Sequence, residues 1–551
     1  KVYWADGAQI TPPHDTGIMD EVKQVTDYGQ VKTMDKDAAV QAGLYETIGA
    51  NIDVPYMEEL KKLILHPEAI KAAAEDLKIV YTPLHGTGNV PVRRVLSDLG
   101  FQHVYVVPEQ ELPDGDFPTV SYPNPEAKEA FALGLELAKK VDADLVLATD
   151  PDADRLGVYV KDRETGEYHS LTGNMSGCLI GEYEIGQRKA LYGLPEDGAL
   201  VKSIVTTNLA DAIAEDYGIR LCEVLTGFKY IGQKMLEFET KKNGTYLFGL
   251  EESYGCLPGT YCRDKDAVAA SMVLCEAAAY YKTQGKTLWD AMIDLYEKYG
   301  YYKDDVKSVT LKGIEGLEKI QTIMNTLRDN TPDEIGGYKV LSARDYKKGV
   351  IKNMEDGSEK GTGLPESNVL YYDLPDNAWV CVRPSGTEPK VKFYYGVKAS
   401  GMEEAQKASD ELGKAVLAMV EPMLERGRER LKEKQYTFEE FCDIIRRLRA
   451  PDGCPWDRAQ THGSLKQCML EEAAEAAAAI RIYENTGDDS NLKEELGDVL
   501  MQVVMHSQIA REEGRFDVQD VISGISRKMI RRHPHVFGTE EEKANPPGWE
   551  E

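Results

Sequence analysis

The 551 residues predict a multidomain chain of α/β units with mixed sheets, then a C-terminal α+β unit, then an all-α helical module. Three observations predict this. The length exceeds what one hydrophobic core sustains. From Leu77 the text runs strand, Gly turn, helix, strand: LKIVYTPLHGTG, VPVRRVLSDLG, HVYVVP. After Glu421 no convincing strand appears and nearly every segment has helical spacing.

Taken in order, KVYWADGAQI alternates around Asp6-Gly7 as a tight hairpin. A helix-rich stretch follows to about Glu75, punctuated by Pro12-Pro13, Pro55 and Pro67. DADLVLAT runs into DPDADR before GVYV resumes a strand. ALVKSIVTTN leads into LADAIAEDYG, and TYLFGLEESYG into an Ala-rich helix from Ala267. SVTLKG, WVCVRPSG and KVKFYYGV read as strands, with MEEAQKASDELGKAVLAMV as a closing helix. ERGRERLKEKQ is a charged, strand-free connector. The expected boundaries are 1–76, 77–194, 195–305 and 306–421, a linker at 422–436, and the helical module at 437–551.

Composition narrows the function. The apolar share of 42% contains no stretch approaching a membrane span. A formal charge of −29 opposes general binding to nucleic acid or anionic membranes, although small phosphorylated ligands remain compatible through local basic groups and divalent metal. Nine dispersed cysteines without a CxxC pair argue for reduced thiols, as in a cytoplasm. The first residue is Lys1, inside an apparent strand, so a segment ahead of it is expected.

Two carboxylate constellations carry chemistry. Asp150, Asp152 and Asp154 alternate directly after the apolar run LVLA and would repel one another without a cation. Oxygen-only ligation beside Arg155 suits Mg²⁺ next to a phosphoryl group. A solvated acidic turn reads equally well from this run alone. FGLEESYG adds Glu251, Glu252 and Ser253 for sugar hydroxyls. RPSGTEPK gathers Arg383, Ser385, Thr387 and Lys390 around Gly386, a loop suited to phosphate.

These loops, together with PNPE, LTGFKYIG and RDKDAV, resemble the phosphoglucomutase/phosphomannomutase family of α-D-phosphohexomutases, over Lys1 to about Val420. The resemblance implies hexose phosphates as ligands and Mg²⁺ on Asp150, Asp152 and Asp154. It places Arg155 facing a phosphoserine, Glu251 and Ser253 reading the sugar, and Arg383, Ser385, Gly386 and Thr387 holding the non-reacting phosphate. The family's serine lies in a TASHNP-like loop, and no such loop occurs in these residues. Ser121 in VSYPNPE is a decoy and Ser385 belongs to the phosphate loop. The expectation is therefore no mutase turnover by these residues alone.

In the tail, LEEAAEAAAAI reads as a helix starting near Ser464 and ending at Gly487. Glu472 and Glu475 share one face, and a second helix repeats the device with Glu495 and Asp498. Either pair alone suits a solvated face; together they suit an all-oxygen Mg²⁺ cage between packed helices. Gly497 costs roughly 1 kcal/mol relative to Ala, which suggests close approach by a neighbouring helix or a ligand. Val499, Leu500, Val503 and Val504 would seat the second helix in a core.

GCPWD, EEAAE, EELGD and RRHPHVFG resemble the MazG family of nucleoside triphosphate pyrophosphohydrolases, from about Thr437 to the end. That resemblance implies Mg²⁺ on Glu471, Glu472, Glu475, Glu495 and Asp498, and cleavage of an NTP into NMP and pyrophosphate. Lys528 and Arg532 are candidates for triphosphate contacts, or equally a basic surface face. Trp549 is a candidate for stacking on a base by analogy, and a homodimer through the module is expected on the same footing. Cys454 and Trp456 are read as fixing a loop, and His533 and His535 as structural. Three accounts of the whole stay open: a two-enzyme fusion, a sugar-phosphate-binding scaffold carrying a pyrophosphohydrolase, or an artefactual join of neighbours.

Overall fold

KIVYT at 78–82 is β-branched and aromatic and is buried at four of its five positions, as a strand covered on both faces must be. It is the first strand of the ordered chain. The computed structural model describes residues 2–25, 27, 29, 31–311, 313–385, 389–432, 435–487 and 489–544. Two compact units divide at Arg426/Gly427.

The first unit begins with a Tyr3–Gln9 bridge around Gly7, followed by α1 (His14–Val22), α2 (Lys36–Gln41), α3 (Ala50–Lys61) and α4 (Pro67–Ala73). A five-stranded sheet comprises β1 (Lys78–Thr82), β2 (His103–Val106), β3 (Leu145–Thr149), β4 (Leu156–Lys161) and β5 (Tyr168–Leu171), in the order β2-β1-β3-β4-β5. β1 pairs parallel with β2 and β3, whereas β4 and β5 run antiparallel. Helices α5 (Asn89–Asp98) and α6 (Ala132–Val141) supply the crossovers.

After α7 (Gly173–Tyr192) a second mixed sheet holds β6 (Gly198–Ser203), β7 (Arg220–Val224), β8 (Thr245–Glu251) and β9 (Gly255–Leu257), ordered β7-β6-β8-β9. Its helices are α8 (Leu209–Tyr217), α9 (Phe228–Lys241), α10 (Ala267–Thr283) and α11 (Leu288–Tyr299). The sequence assigns α7 to the preceding unit, but its glycines bring it onto β8. A Cβ at Gly177 would lie 3.0 Å from Leu250, and one at Gly181 3.0 Å from Phe248. α10 is buried at every position from Ala267 to Ala279, which explains its small side chains. Core residues of both sheets, Tyr81 and Leu147 with Leu200 and Leu250, meet around it.

The last part of this unit is an antiparallel sheet with one helical face. β10 (Tyr301–Thr310) precedes α12 (Gly313–Asp329) and a small ribbon, β11 (Glu334–Ile335) with β12 (Tyr338–Lys339). The strands β13 (Ser342–Asp345), β14 (Val350–Asn353), β15 (Glu359–Gly361), β16 (Leu370–Asp373), β17 (Trp379–Pro384) and β18 (Lys390–Ala399) complete the order β10-β18-β17-β16-β13-β14-β15. Val380, Val382 and Phe393 pack under Met324, Leu412 and Val416 of the covering helices. The expected strands at 379–384 and 390–399 are present; the β13–β16 meander is additional. The charged connector is helical as far as Lys432, as the end of α13 (Met402–Lys432).

The second unit contains α14 (Phe438–Leu448), α15 (Pro455–Ala459), α16 (His462–Thr486), α17 (Ser490–Glu512), α18 (Val518–Arg532), α19 (Pro534–Phe537) and α20 (Glu540–Ala544), with no strand among the described residues. α16 starts two residues before Ser464. Thr461 caps it, and Ser464 closes a capping box as the N3 residue. Gly487 ends it in the left-handed region, and α17 packs along it. Val504, Met505 and Ile509 of α17 join Ile445 and Leu465 in the core. Leu500 does not join them: it is 42% exposed, on the same face as exposed Leu496 four residues earlier.

Candidate functional site

The first acidic loop follows β3, the central strand of its sheet, and its carboxylates emerge at the strand's carboxyl end. Oxygens of Asp150, Asp152 and Asp154 all lie within 4.8 Å of one another. Ala153 takes φ +56°, which turns the chain tightly enough to bring the three together. Burial, with Asp152 adding repulsion, pushes the Asp150 carboxyl up to about 6, although one oxygen accepts from the backbone N–H groups of Asp154 (3.0 Å) and Arg155 (2.9 Å). A compact all-oxygen set raised by crowding fits a divalent cation.

Three neighbouring loops hold this one by its backbone. Thr87 N–H donates to Pro151 O (2.8 Å), Leu156 N–H to Tyr254 O (2.9 Å), and Ala267 N–H to Ala153 O (3.1 Å). The HGTG turn approaches closely because residue 86 is glycine: a Cβ there would lie 2.3 Å from Pro151 Cα.

Arg155 points its guanidinium at Glu126 (3.2 Å), with Asp150 at 3.8 Å and Asp154 at 4.0 Å. Lys265 places its ammonium among Asp154 (3.2 Å), Asp264 (3.5 Å) and Glu251 (3.8 Å). Burial lifts the Glu251 carboxyl to about 7 even with Lys265 opposing it, and Ser253 bonds to it. Glu252 is also raised by burial. It accepts from Ser203 Oγ at 3.0 Å, while the Arg383 charge lowers it. The charge of Arg383, at the start of the RPSGTEPK loop, thus reaches the EESYG loop. Ser385 N–H donates to Lys390 O at 2.8 Å, closing the base of the RPSGTEPK loop. Gly386 and Thr387 lie outside the described residues, as does Trp549.

Lys265 and Glu126, which lie in RDKDAV and PNPE, take positions that the sequence reading does not assign. A lysine between two aspartates directly before a helix was the available signal. Glu126 left none, because its partner Arg155 is 29 residues away.

In the helical unit, oxygens of Glu472, Glu495 and Asp498 lie within 4.8 Å of one another, across α16 and α17. Burial raises Glu472, and Asp498, Glu475, Glu495 and Glu471 add repulsion. Asp498 is raised by burial, then by Glu494 and Glu475. Glu475 and Glu471 are exposed and stand outside the trio. Glu471 accepts from Gln467 (3.0 Å), one turn before it. Lys528 and Arg532 are exposed on α18. Gly497 has open space around it, so no neighbour among the described residues explains it.

Trp456 does not fix the GCPWD loop, being 76% exposed. Buried Arg449 does so, donating to Glu512 (2.7 and 3.1 Å) and to Gln460 O (3.1 Å). His533 Nδ1 bonds to Met529 O, one turn back on its own helix.

Carboxylates gathered after a strand in one unit and between two helices in the other, without nitrogen or sulfur donors in either set, are the kind of donor group that suits hard divalent cations. Residues 54–166 and 172–299 match the models for phosphoglucomutase/phosphomannomutase alpha/beta/alpha domains II and III, and 460–537 match the MazG nucleotide pyrophosphohydrolase domain. A phosphoglucomutase of Staphylococcus epidermidis is 34% identical over 416 residues, 75% of this chain and 73% of the relative. One from Staphylococcus aureus is 35% identical over 409 residues, 74% and 71%. A solved structure of the Paramecium phosphoglucomutase pp63/parafusin in its open form is 17% identical, with a TM-score of 0.49 over 67% of this chain and 61% of that one. The chain belongs to the phosphoglucomutase/phosphomannomutase family, and a MazG domain is fused to its C-terminal side.

Proposed function

We propose that the helical unit hydrolyses nucleoside triphosphates to the monophosphate and pyrophosphate. The observation that carries this reading is the trio Glu472, Glu495 and Asp498, on two helices of a domain of the MazG type. Mg²⁺ held there would lower the pKa of a bound water and neutralise phosphate charge. The chain's own contribution is to keep three mutually repelling carboxylates in place, through the capped start of α16 and the core contacts of Val504 and Ile509. Lys528 and Arg532 are proposed to meet the triphosphate. Pyrophosphate release from an NTP mixture, with and without Mg²⁺, tests this; no Mg²⁺-dependent release sinks it.

For the first unit the proposal is recognition of a hexose phosphate. Asp150, Asp152 and Asp154 would hold Mg²⁺, Glu251 and Ser253 the sugar hydroxyls, and Arg383, Ser385 and Lys390 the distal phosphate. Arg155, held by Glu126, would face the phosphoryl group being moved. The reach of the Arg383 charge to Glu252 supports one ligand spanning both loops. Titration calorimetry with glucose 6-phosphate and Mg²⁺ reads binding, and a coupled assay reads conversion to or from glucose 1-phosphate. Binding without conversion by these 551 residues is the expected pattern, because they contain no TASHNP-like serine loop. Absence of binding would refute the site.

A further inference from the structure

Between α7 and α10, away from both acidic sites, two carboxyl groups and a phenol are enclosed together. Glu184 and Glu276 are fully buried and Tyr183 is 1% exposed. Glu184 Oε1 and Glu276 Oε2 are buried without a donor in full hydrogen-bond geometry, and the Tyr183 hydroxyl, equally buried, lies against Glu276. Their other atoms are well occupied. Glu184 Oε2 accepts from Arg188 Nε at 2.9 Å. Glu276 Oε1 accepts from the backbone N–H of Leu65 at 2.6 Å and from that of His66.

Charge and donors both fall short by one. Among the described residues Arg188 is the one cation in ion-pair contact with either carboxylate, so two ionised groups would leave a net negative charge in the core. Two orphan acceptor oxygens face one phenolic O–H, so one donor is missing. A single added proton corrects both deficits.

We propose that Glu184 and Glu276 share one exchangeable proton and, with Tyr183, form a pH-sensitive buckle that fastens the Leu65–His66 segment to the α7/α10 layer. The buckle links the helix layer of the first sheet, through the start of α4, to the two helices of the second. Both of those helices begin at the first acidic site. A Cβ on Gly173 of α7 would lie 2.2 Å from Glu252 O, and Asp266 beside Lys265 caps α10. Ten or eleven residues further along, the buckle lies about 15 Å from those starts.

Other titratable groups around it do not supply the proton's role. The His66 ring is engaged by Glu68 (2.7 Å) and Gln187 (2.9 Å). Tyr280 and Tyr281 of α10 pack on the Tyr183 ring at 5.6 and 6.2 Å between centroids. The Cys256 thiol on β9 is itself pushed up by burial and by Glu184. Burial, with Glu276 adding repulsion, places the Glu184 carboxyl at about 7 although Arg188 opposes it. A carboxyl raised in the folded state contributes stability that is complete at low pH and is lost as pH rises through about 7.

The test is amide hydrogen exchange at Leu65 and His66 from about pH 5 to about pH 8.5, corrected for intrinsic rates, in wild type and Glu184→Gln. Protection in wild type should fall by up to about tenfold per pH unit as pH rises toward about 7 and level off above it, and stay flat throughout in Glu184→Gln, whose amide mimics the protonated acid. Parallel pH profiles in the two proteins overturn the proposal. So does protection that follows K⁺ or Na⁺ at constant ionic strength instead of pH, which would mean a buried cation. If Glu184→Gln fails to fold, infrared spectra of wild type decide. A protonated-carboxyl band present at about pH 6 and lost by about pH 8.5 supports the shared proton, and its absence at the lower pH overturns it.

Discussion

Glu472 and Asp498 face each other from consecutive helices, and both are raised by burial and by neighbouring carboxylates. A cation and a proton therefore compete for the same oxygens. Mg²⁺ affinity at this trio should climb as pH rises above the ordinary carboxylate range, and Glu472→Gln should flatten that dependence in a calorimetric titration. Glu472→Gln or Asp498→Asn should each cut Mg²⁺-dependent pyrophosphate release by about 100-fold or more; unchanged release in both would refute the metal assignment. Arg449 makes a different kind of contribution. It is a buried guanidinium tying α17 to the loop before α16, and its loss leaves Glu512 and two backbone carbonyls short of a donor. Arg449→Ala should destabilise the helical unit by about 3 kcal/mol, read as an earlier loss of helix signal in urea.

At the scale of elements, the two sites are held by opposite means. The DPDADR loop is fixed by backbone bonds from the loops at Thr87, Tyr254 and Ala267, so its geometry depends on how closely those loops approach. Gly86→Ala would drive a methyl into Pro151 Cα and should weaken Mg²⁺ binding at this loop by about tenfold, with the helical site unaffected. The trio on α16 and α17 instead relies on the capped start of α16 and a small core. Gly497 interrupts α17 beside Asp498 with open space around it. Gly497→Ala should accordingly raise the stability of the helical unit by about 1 kcal/mol, and a drop would reveal a close approach from outside the described residues.

At the scale of the whole molecule, two carboxylate clusters lie in two separate compact units. Asp152→Asn should remove Mg²⁺-dependent hexose phosphate binding and leave pyrophosphate release intact, and Glu472→Gln should do the reverse. The double variant should show the sum of the two losses, since groups in separate units share no partner. Coupling between the losses would show that the two units act on each other.

Much of this was legible in local text. DPDADR, EESYG and RPSGTEPK announced an acidic loop, a loop of carboxylates and a hydroxyl, and a Gly-centred polar loop, because the polar groups of each stand in adjacent residues. The i,i+3 spacing of Glu472 with Glu475, and of Glu495 with Asp498, announced two acidic helix faces in the same way. Only the tertiary structure selected Glu472, Glu495 and Asp498 as the trio and left Glu471 and Glu475 at its edge, because helix spacing fixes a face but not which partner it meets. Only the tertiary structure set Lys265 among Asp154, Asp264 and Glu251, and Glu126 against Arg155. It alone enclosed Tyr183, Glu184 and Glu276, residues 92 or more positions apart from helix to helix that read as an unremarkable Tyr-Glu pair and one glutamate in an alanine run. Composition and spacing act over a few residues; burial, and the charge balance that burial enforces, are properties of the packed chain.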